Sequence, residues 1–249
     1  MNEELEIRLL KEIEELKREI KELKAEEDAK IPIYQYSKIR DMDLENMFDI
    51  SQKIDRKKFD SWFNNNIKTG SEDENFLFKL LEEESDYIAF YGEEDLKMRF
   101  LSPLLRKIDF KTENFRDFYN ERLVYQTDKF ILNGEVDFVI STGLKRAKEP
   151  YFFIQEFKRG KENSNPEPQL LAELISAVEL NNFQTIRGAY IIGAIWNFVI
   201  LERLEKHRYI YFVSANFDST KMEDLRGIYK NLLFVKEEIT KMVRSKFSK

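Results

Sequence analysis

Residues 151–158 read Tyr-Phe-Phe-Ile-Gln-Glu-Phe-Lys (YFFIQEFK), and this run decides the fold. Aromatic and branched apolar side chains in such density fit a strand pushed into a core. Alternate residues of a strand share a face. Phe152, Ile154, Glu156 and Lys158 therefore line one side, and Tyr151, Phe153, Gln155 and Phe157 the other. A carboxylate and an amine thus follow two large apolar groups on one face. Burying a charge is costly unless it is paired or holds a metal. Glu156 and Lys158 are then either a structural ion pair or part of a reactive site.

The pattern outward from this strand alternates between sheet and helix. Upstream, residues 122–126, 129–132 and 135–141 read as strands, with a turn at Thr127-Asp128 and a hairpin signal at Asn133-Gly134. Asp137 lies on the last of these, and Glu135 shares its face. Before them, residues 93–108 form a helix whose stripe is Phe100, Leu101, Leu104, Leu105 and Ile108. Glu94 falls on that stripe and is expected to face the sheet, although acids in a first turn also suit the helix dipole. Pro103 predicts a kink. Downstream, Asn165 caps a helix that Pro166 opens and that carries Gln169. Strands follow at 188–194, 196–201 and 209–213, and two helices at 219–231 and 235–247 close the chain. Residues 31–70 read as two or three short helices, and residues 72–84 as another.

Composition narrows the chemistry. The 249 residues hold no cysteine and one histidine, His207. This excludes thiolate nucleophiles, disulfides and multi-histidine metal sites. His207, between Lys206 and Arg208, reads as a surface residue. The remaining chemistry rests on carboxylates and amines, and clustered carboxylates favour Mg²⁺ or Mn²⁺. No apolar run suggests a membrane span or a signal peptide, so the expected location is cytoplasmic. The net charge is −6, but residues 1–30 hold eleven acidic and seven basic side chains, leaving the remainder near neutral.

Residues 1–30 repeat at heptad spacing. Ile13 and Ile20 fall at a, and Leu9, Leu16 and Leu23 at d. Glu12 and Glu19 at g would face Lys17 and Lys24 at e in a parallel pair. The expectation is a homodimer through residues 5–25; the alternative is that the same stripe packs on the chain's own domain. The domain division is a coiled-coil helix at 1–30, a helical linker at 31–90, an α/β domain at 91–218 and terminal helices at 219–249.

Sequential strands usually neighbour each other, so Asp137 should meet Glu156 and Lys158. An acid on one strand followed by acid-x-lysine on the next resembles the PD-(D/E)XK nuclease superfamily. Here these are Asp137, within Gly134-Glu135-Val136-Asp137-Phe138, and Glu156-Phe157-Lys158, with Val136 where the family name has proline. The resemblance covers about residues 91–213. It implies a restriction-endonuclease-like core, with a mixed central sheet flanked by helices, and a nuclease acting on DNA more than on RNA. It also implies Mg²⁺ (or Mn²⁺) held by Asp137, Glu156 and the Phe157 carbonyl, and Lys158 acting on the attacking water. Gln169 and a helix acid, Glu94 or Glu93, would complete the site. The alternative is an inactive relative that binds nucleic acid or a partner.

Overall fold

The computed structural model describes residues 31–158 and 165–247, with Ile13, Leu16 and Lys17 as helical positions ahead of them. The heptad stripe otherwise lies outside the described residues. Among those described, nine strands form one mixed sheet. They are β1 (Ile33–Gln35), β2 (Asp49–Gln52), β3 (Arg116–Gln126), β4 (Ile131–Thr142), β5 (Lys148–Lys158), β6 (Thr185–Ile192), β7 (Ile195–Glu205), β8 (Arg208–Val213) and β9 (Phe217–Asp218). The order across the sheet is β1-β4-β5-β6-β7-β8-β2, with β3 also on β4 and β9 on β7. The α-helices are α1 (Asp41–Met47), α2 (Asp60–Phe63), α3 (Ser71–Glu84), α4 (residues 93–108), α5 (Pro166–Asn181) and α6 (Met222–Phe247). No helix among the described residues is long and apolar enough to cross a membrane.

Each face of the sheet has its own core. One is built from α3, α4 and α6 against residues such as Phe138, Phe153, Phe157 and Phe198. The other surrounds α5. Strands β5 and β6 are parallel, which requires a crossover, and α5 supplies it. Its buried residues include Ala172 and Glu173 as well as the expected Leu170, Leu171, Leu174, Ile175 and Val178. A helix buried on all sides needs a second cover. Tyr36, Ile39, Leu44 and Phe48 provide it from residues 31–48.

Those residues depart from the sequence expectation. The stretch 31–70 contains α1 and α2, but also β1 and β2, which join the sheet at its edges. Strands of three and four residues are too short to reveal a period of two. The sheet therefore draws strands from both 31–90 and 91–218. Near the C-terminus, α6 is one helix instead of two. Leu225, Ile228, Leu232, Val235, Ile239 and Val243 carry its buried stripe without a break. His207 is half-buried, its ring within 5.9 Å of Phe48 and its Nε2 3.3 Å from the Tyr125 hydroxyl.

The clearest correction concerns Asn133-Gly134, which is no hairpin turn. Both residues lie inside β4, with Gly134 opposite Leu123 of β3. The turn sits at residues 127–130, where the Thr127 hydroxyl accepts the amides of Lys129 and Phe130. Glycine occurs mid-strand because Tyr36 lies against it. A Cβ at Gly134 would come within 2.9 Å of the Tyr36 ring, and that ring is buried and tied to Ser176 of α5 by a 2.8 Å hydrogen bond. Gly134→Ala should therefore destabilise the protein by roughly 1–3 kcal/mol, as overpacking does, read as a lower urea midpoint at unchanged slope.

Candidate active site

Strand β4 changes partner along one edge. It pairs with β5 from Thr142 to Phe138 and with β1 from Asn133 to Ile131, while β3 occupies its other edge. Residues 134–137 thus border an opening between β5 and β1. The ladder with β5 stops at Phe138↔Gln155; the next pair would be Asp137 and Glu156. In place of a backbone acceptor, the Phe157 amide finds the Asp137 carboxylate, at 2.9 Å from Oδ2.

The backbone beyond this point orients one more oxygen. The Lys158 carbonyl accepts from Gly193, on the β6 side of the strand. Backbone groups of successive strand residues point to opposite edges, and the N–H and C=O of one residue point together. The Phe157 carbonyl therefore turns with its amide toward the opening.

Four charged groups meet here. Lys158 donates to Glu156 Oε1 at 2.6 Å. Lys97 of α4 donates to Asp137 Oδ1 at 2.9 Å and lies near Glu93 and Glu94 at 3.9 and 3.8 Å. Glu156 is 1% exposed, and its Oε2 is buried without a hydrogen-bond partner. From α5, Gln169 donates to Glu173 Oε1 at 3.1 Å, while Glu173 Oε2 also lacks a partner.

The carboxyls perturb one another. Burial, then the charge of Asp137, pushes Glu156 up to about 8. Burial, then the charge of Glu156, raises fully buried Glu173 as well. These acids titrate as a set and hold fewer charges than carboxyls. For Lys158, burial favours the neutral amine, but the charges of Glu156 and Asp137 outweigh it and raise its pKa. For Lys97, burial is likewise outweighed, chiefly by Asp137. Both lysines are therefore cations and donors.

Of the residues singled out by sequence, Asp137, Glu156 and Lys158 converge, and Gln169 stands behind them through Glu173. Glu94 does not point into the sheet: its side chain is 83% exposed. The reason lies in α4, where residues Leu96–Leu101 are π-helical and the Ser102 amide bonds to the Lys97 carbonyl five residues back. Pro103 is accommodated next to this wide turn. The extra residue breaks the 3.6-residue phase by which Glu94 was placed on the stripe. Glu93 is nearer, since its charge acts on Lys158. Glu135 is exposed. Sequence reading missed Lys97 and Glu173. Glu173 did leave a signal: a lone acid inside LLAELISAV, four residues after Gln169. Lys97 left none, because a lysine beside three acids in an exposed-looking first turn is ordinary.

The donors suit a hard cation: two carboxylates, one of them with an unpartnered buried oxygen, and a backbone carbonyl. Among the described residues no three acids are spaced as a preformed cage, but Mg²⁺ needs only one or two carboxylates with water.

The raised Glu156 pKa has a testable sign. Between its ordinary 4.5 and about 8, the folded protein keeps a proton that the unfolded chain has released, so stability falls as pH rises through that window. The melting temperature of metal-free protein should decline from roughly pH 5 to pH 8, and Glu156→Gln should flatten the decline. Mg²⁺ should raise the melting temperature at the upper end, and less so in the variant.

The chain matches no family model and no curated protein.

Proposed function

We propose that the protein is a Mg²⁺-dependent phosphodiester hydrolase of the PD-(D/E)XK type, acting on DNA in preference to RNA. The observation that supports it is the meeting of Asp137, Glu156 and Lys158 in the opening where β4 parts from β5. Asp137, Glu156 and the Phe157 carbonyl would hold the cation. Bound there, it supplies Lewis-acid polarisation of a phosphoryl oxygen and a more acidic water.

The chain's own groups divide the remaining work. Lys158, held protonated by its neighbours, donates to a phosphate oxygen and offsets charge that develops in the transition state; it is poorly suited to act as a base. Lys97 neutralises Asp137 and fixes its orientation. The Phe157 amide fixes the other carboxylate oxygen. Gln169 and Glu173 anchor the inner wall. Two such domains, joined through residues 5–25 as a homodimer, would present two sites to two strands.

The test incubates purified protein with single-stranded DNA, duplex DNA and RNA in Mg²⁺ or Mn²⁺. Lys158→Ala should lower the rate by about 10²–10³, the loss seen when a preorganised transition-state donor is removed. Asp137→Asn keeps an acceptor for the Phe157 amide and should fold normally but be inactive. Equal cleavage by wild type and Lys158→Ala would defeat the assignment. No cleavage of any substrate would favour a binding protein on a nuclease-like scaffold. For assembly, Ile13→Asp with Ile20→Asp should halve the mass seen by light scattering; an unchanged mass removes the dimer.

A further inference from the structure

A cavity of about 390 Å³ opens next to the reactive carboxyls, on the β6–β7 side. Its position is fixed by register. Glu156 is paired with Tyr190 and Lys158 with Ile192 across parallel β5 and β6. Tyr190 is paired in turn with Asn197, and Ile192 with Ile195, across β6 and β7. All four of these partners line the cavity. Neighbouring strands lie about 4.8 Å apart, so the cavity begins one strand away from Glu156.

Its walls are polar but hold no cation: among the described residues that line it there is no lysine or arginine. Glu167 is occupied, accepting the hydroxyls of Tyr190 at 3.0 Å and Tyr211 at 3.2 Å. The amides are oriented by their own bonds. Asn197, 6% exposed, donates its Nδ2 to Asn216 Oδ1 at 2.7 Å, which makes Oδ1 the atom it has to offer. Asn216 and Asn165 each spend their oxygen, Asn165 on the Glu167 amide, and so offer Nδ2. Ile192 and Ile195 add an apolar surface. The cavity thus combines hydrogen-bond donors, an acceptor and an apolar wall, beside a site suited to phosphate.

We infer that this cavity takes one unpaired nucleobase of the strand being cut, that of the nucleotide adjoining the scissile phosphate. This rests on the phosphodiesterase reading and adds to it a substrate class: a single strand. Among the described lining residues a phosphate would find no positive charge, whereas a neutral planar ring finds edges to bond and a face to cover. A paired base keeps its Watson–Crick edge occupied and its faces stacked.

The experiment compares a single-stranded DNA oligonucleotide with copies in which one nucleotide at a time is a tetrahydrofuran abasic analogue, in Mg²⁺, with cleavage mapped at each phosphate. Loss of a base contact worth one stacking interaction should slow cutting at the adjoining phosphate by about 10-fold. Asn216→Trp, at an exposed position where folding should survive (checked by melting temperature), plugs the cavity. It should slow cutting of the intact strand and bring the intact-to-abasic ratio near one. Equal cutting of intact and abasic strands by wild type overturns the inference but leaves the hydrolase reading in place. So does cleavage confined to duplex DNA, or an intact-to-abasic ratio that Asn216→Trp leaves unchanged. Failure to cut any strand, single or double, removes the hydrolase reading itself.

Discussion

A backbone amide in the middle of a sheet must find an acceptor, and at Phe157 the acceptor is a side chain. The carboxylate of Asp137 takes the place of the carbonyl that a continuing β4–β5 ladder would have offered. An unpaired buried amide would cost about 1–3 kcal/mol, so the opening in the sheet is stable only because an acid stands there. The same carboxylate is then fixed by Lys97 on its other oxygen. An interruption in strand pairing thus yields a rigid, charged, partly accessible position between two cores. Tyr36, just past the end of β1, packs against Gly134 on the adjoining part of β4.

The two helical layers serve this opening differently. From the layer of α3, α4 and α6 comes Lys97, carried on a π-helical turn that aims it past the ring of Phe157, 5.8 Å away, toward Asp137. Such turns recur at functional positions because the extra residue redirects side chains. From the other layer, α5 brings Glu173, held by Gln169, within electrostatic reach of Glu156. The crossover that makes β5 and β6 parallel is also what brings the start of α5 close to the end of β5.

Much of this was legible in the sequence, for identifiable reasons. β5 announced itself because strands buried in a core read as apolar runs, and Glu156 and Lys158 stood out against that background. The cap at Asn165 and the stripe of α5 follow from local chemistry and were readable too. What stayed hidden depends on distant residues. Gly134 looks like a turn until Tyr36 is known to lie on it. Glu94 sits on a stripe only if α4 keeps a single period. β1 and β2 are strands because the edges of the sheet accept them, not through their own pattern. Lys97 gains its role solely from the place where Asp137 ends up.

The charge balance of the site constrains how any phosphodiester could bind. Asp137, Glu156, Glu173 and Glu93 outnumber Lys97 and Lys158, and burial first, then that crowding, raises the pKa of Glu156 and Glu173. An anion brought alone would meet two ammonium groups already engaged by Glu156 and Asp137. On the proposed reading, Asp137, Glu156 and the Phe157 carbonyl would hold the cation, whose charge would favour the ionised carboxylates and offset that of a phosphate, so substrate and cation would favour each other. Linkage of this kind is reciprocal, so metal should tighten substrate binding by the factor by which substrate tightens metal. The lining beside Glu156, with no lysine or arginine among its described residues and with Glu167 engaged by two tyrosine hydroxyls, fits that scheme. On the same reading, an uncharged part of the substrate would be held there by hydrogen bonds to Asn197, Asn216 and Asn165.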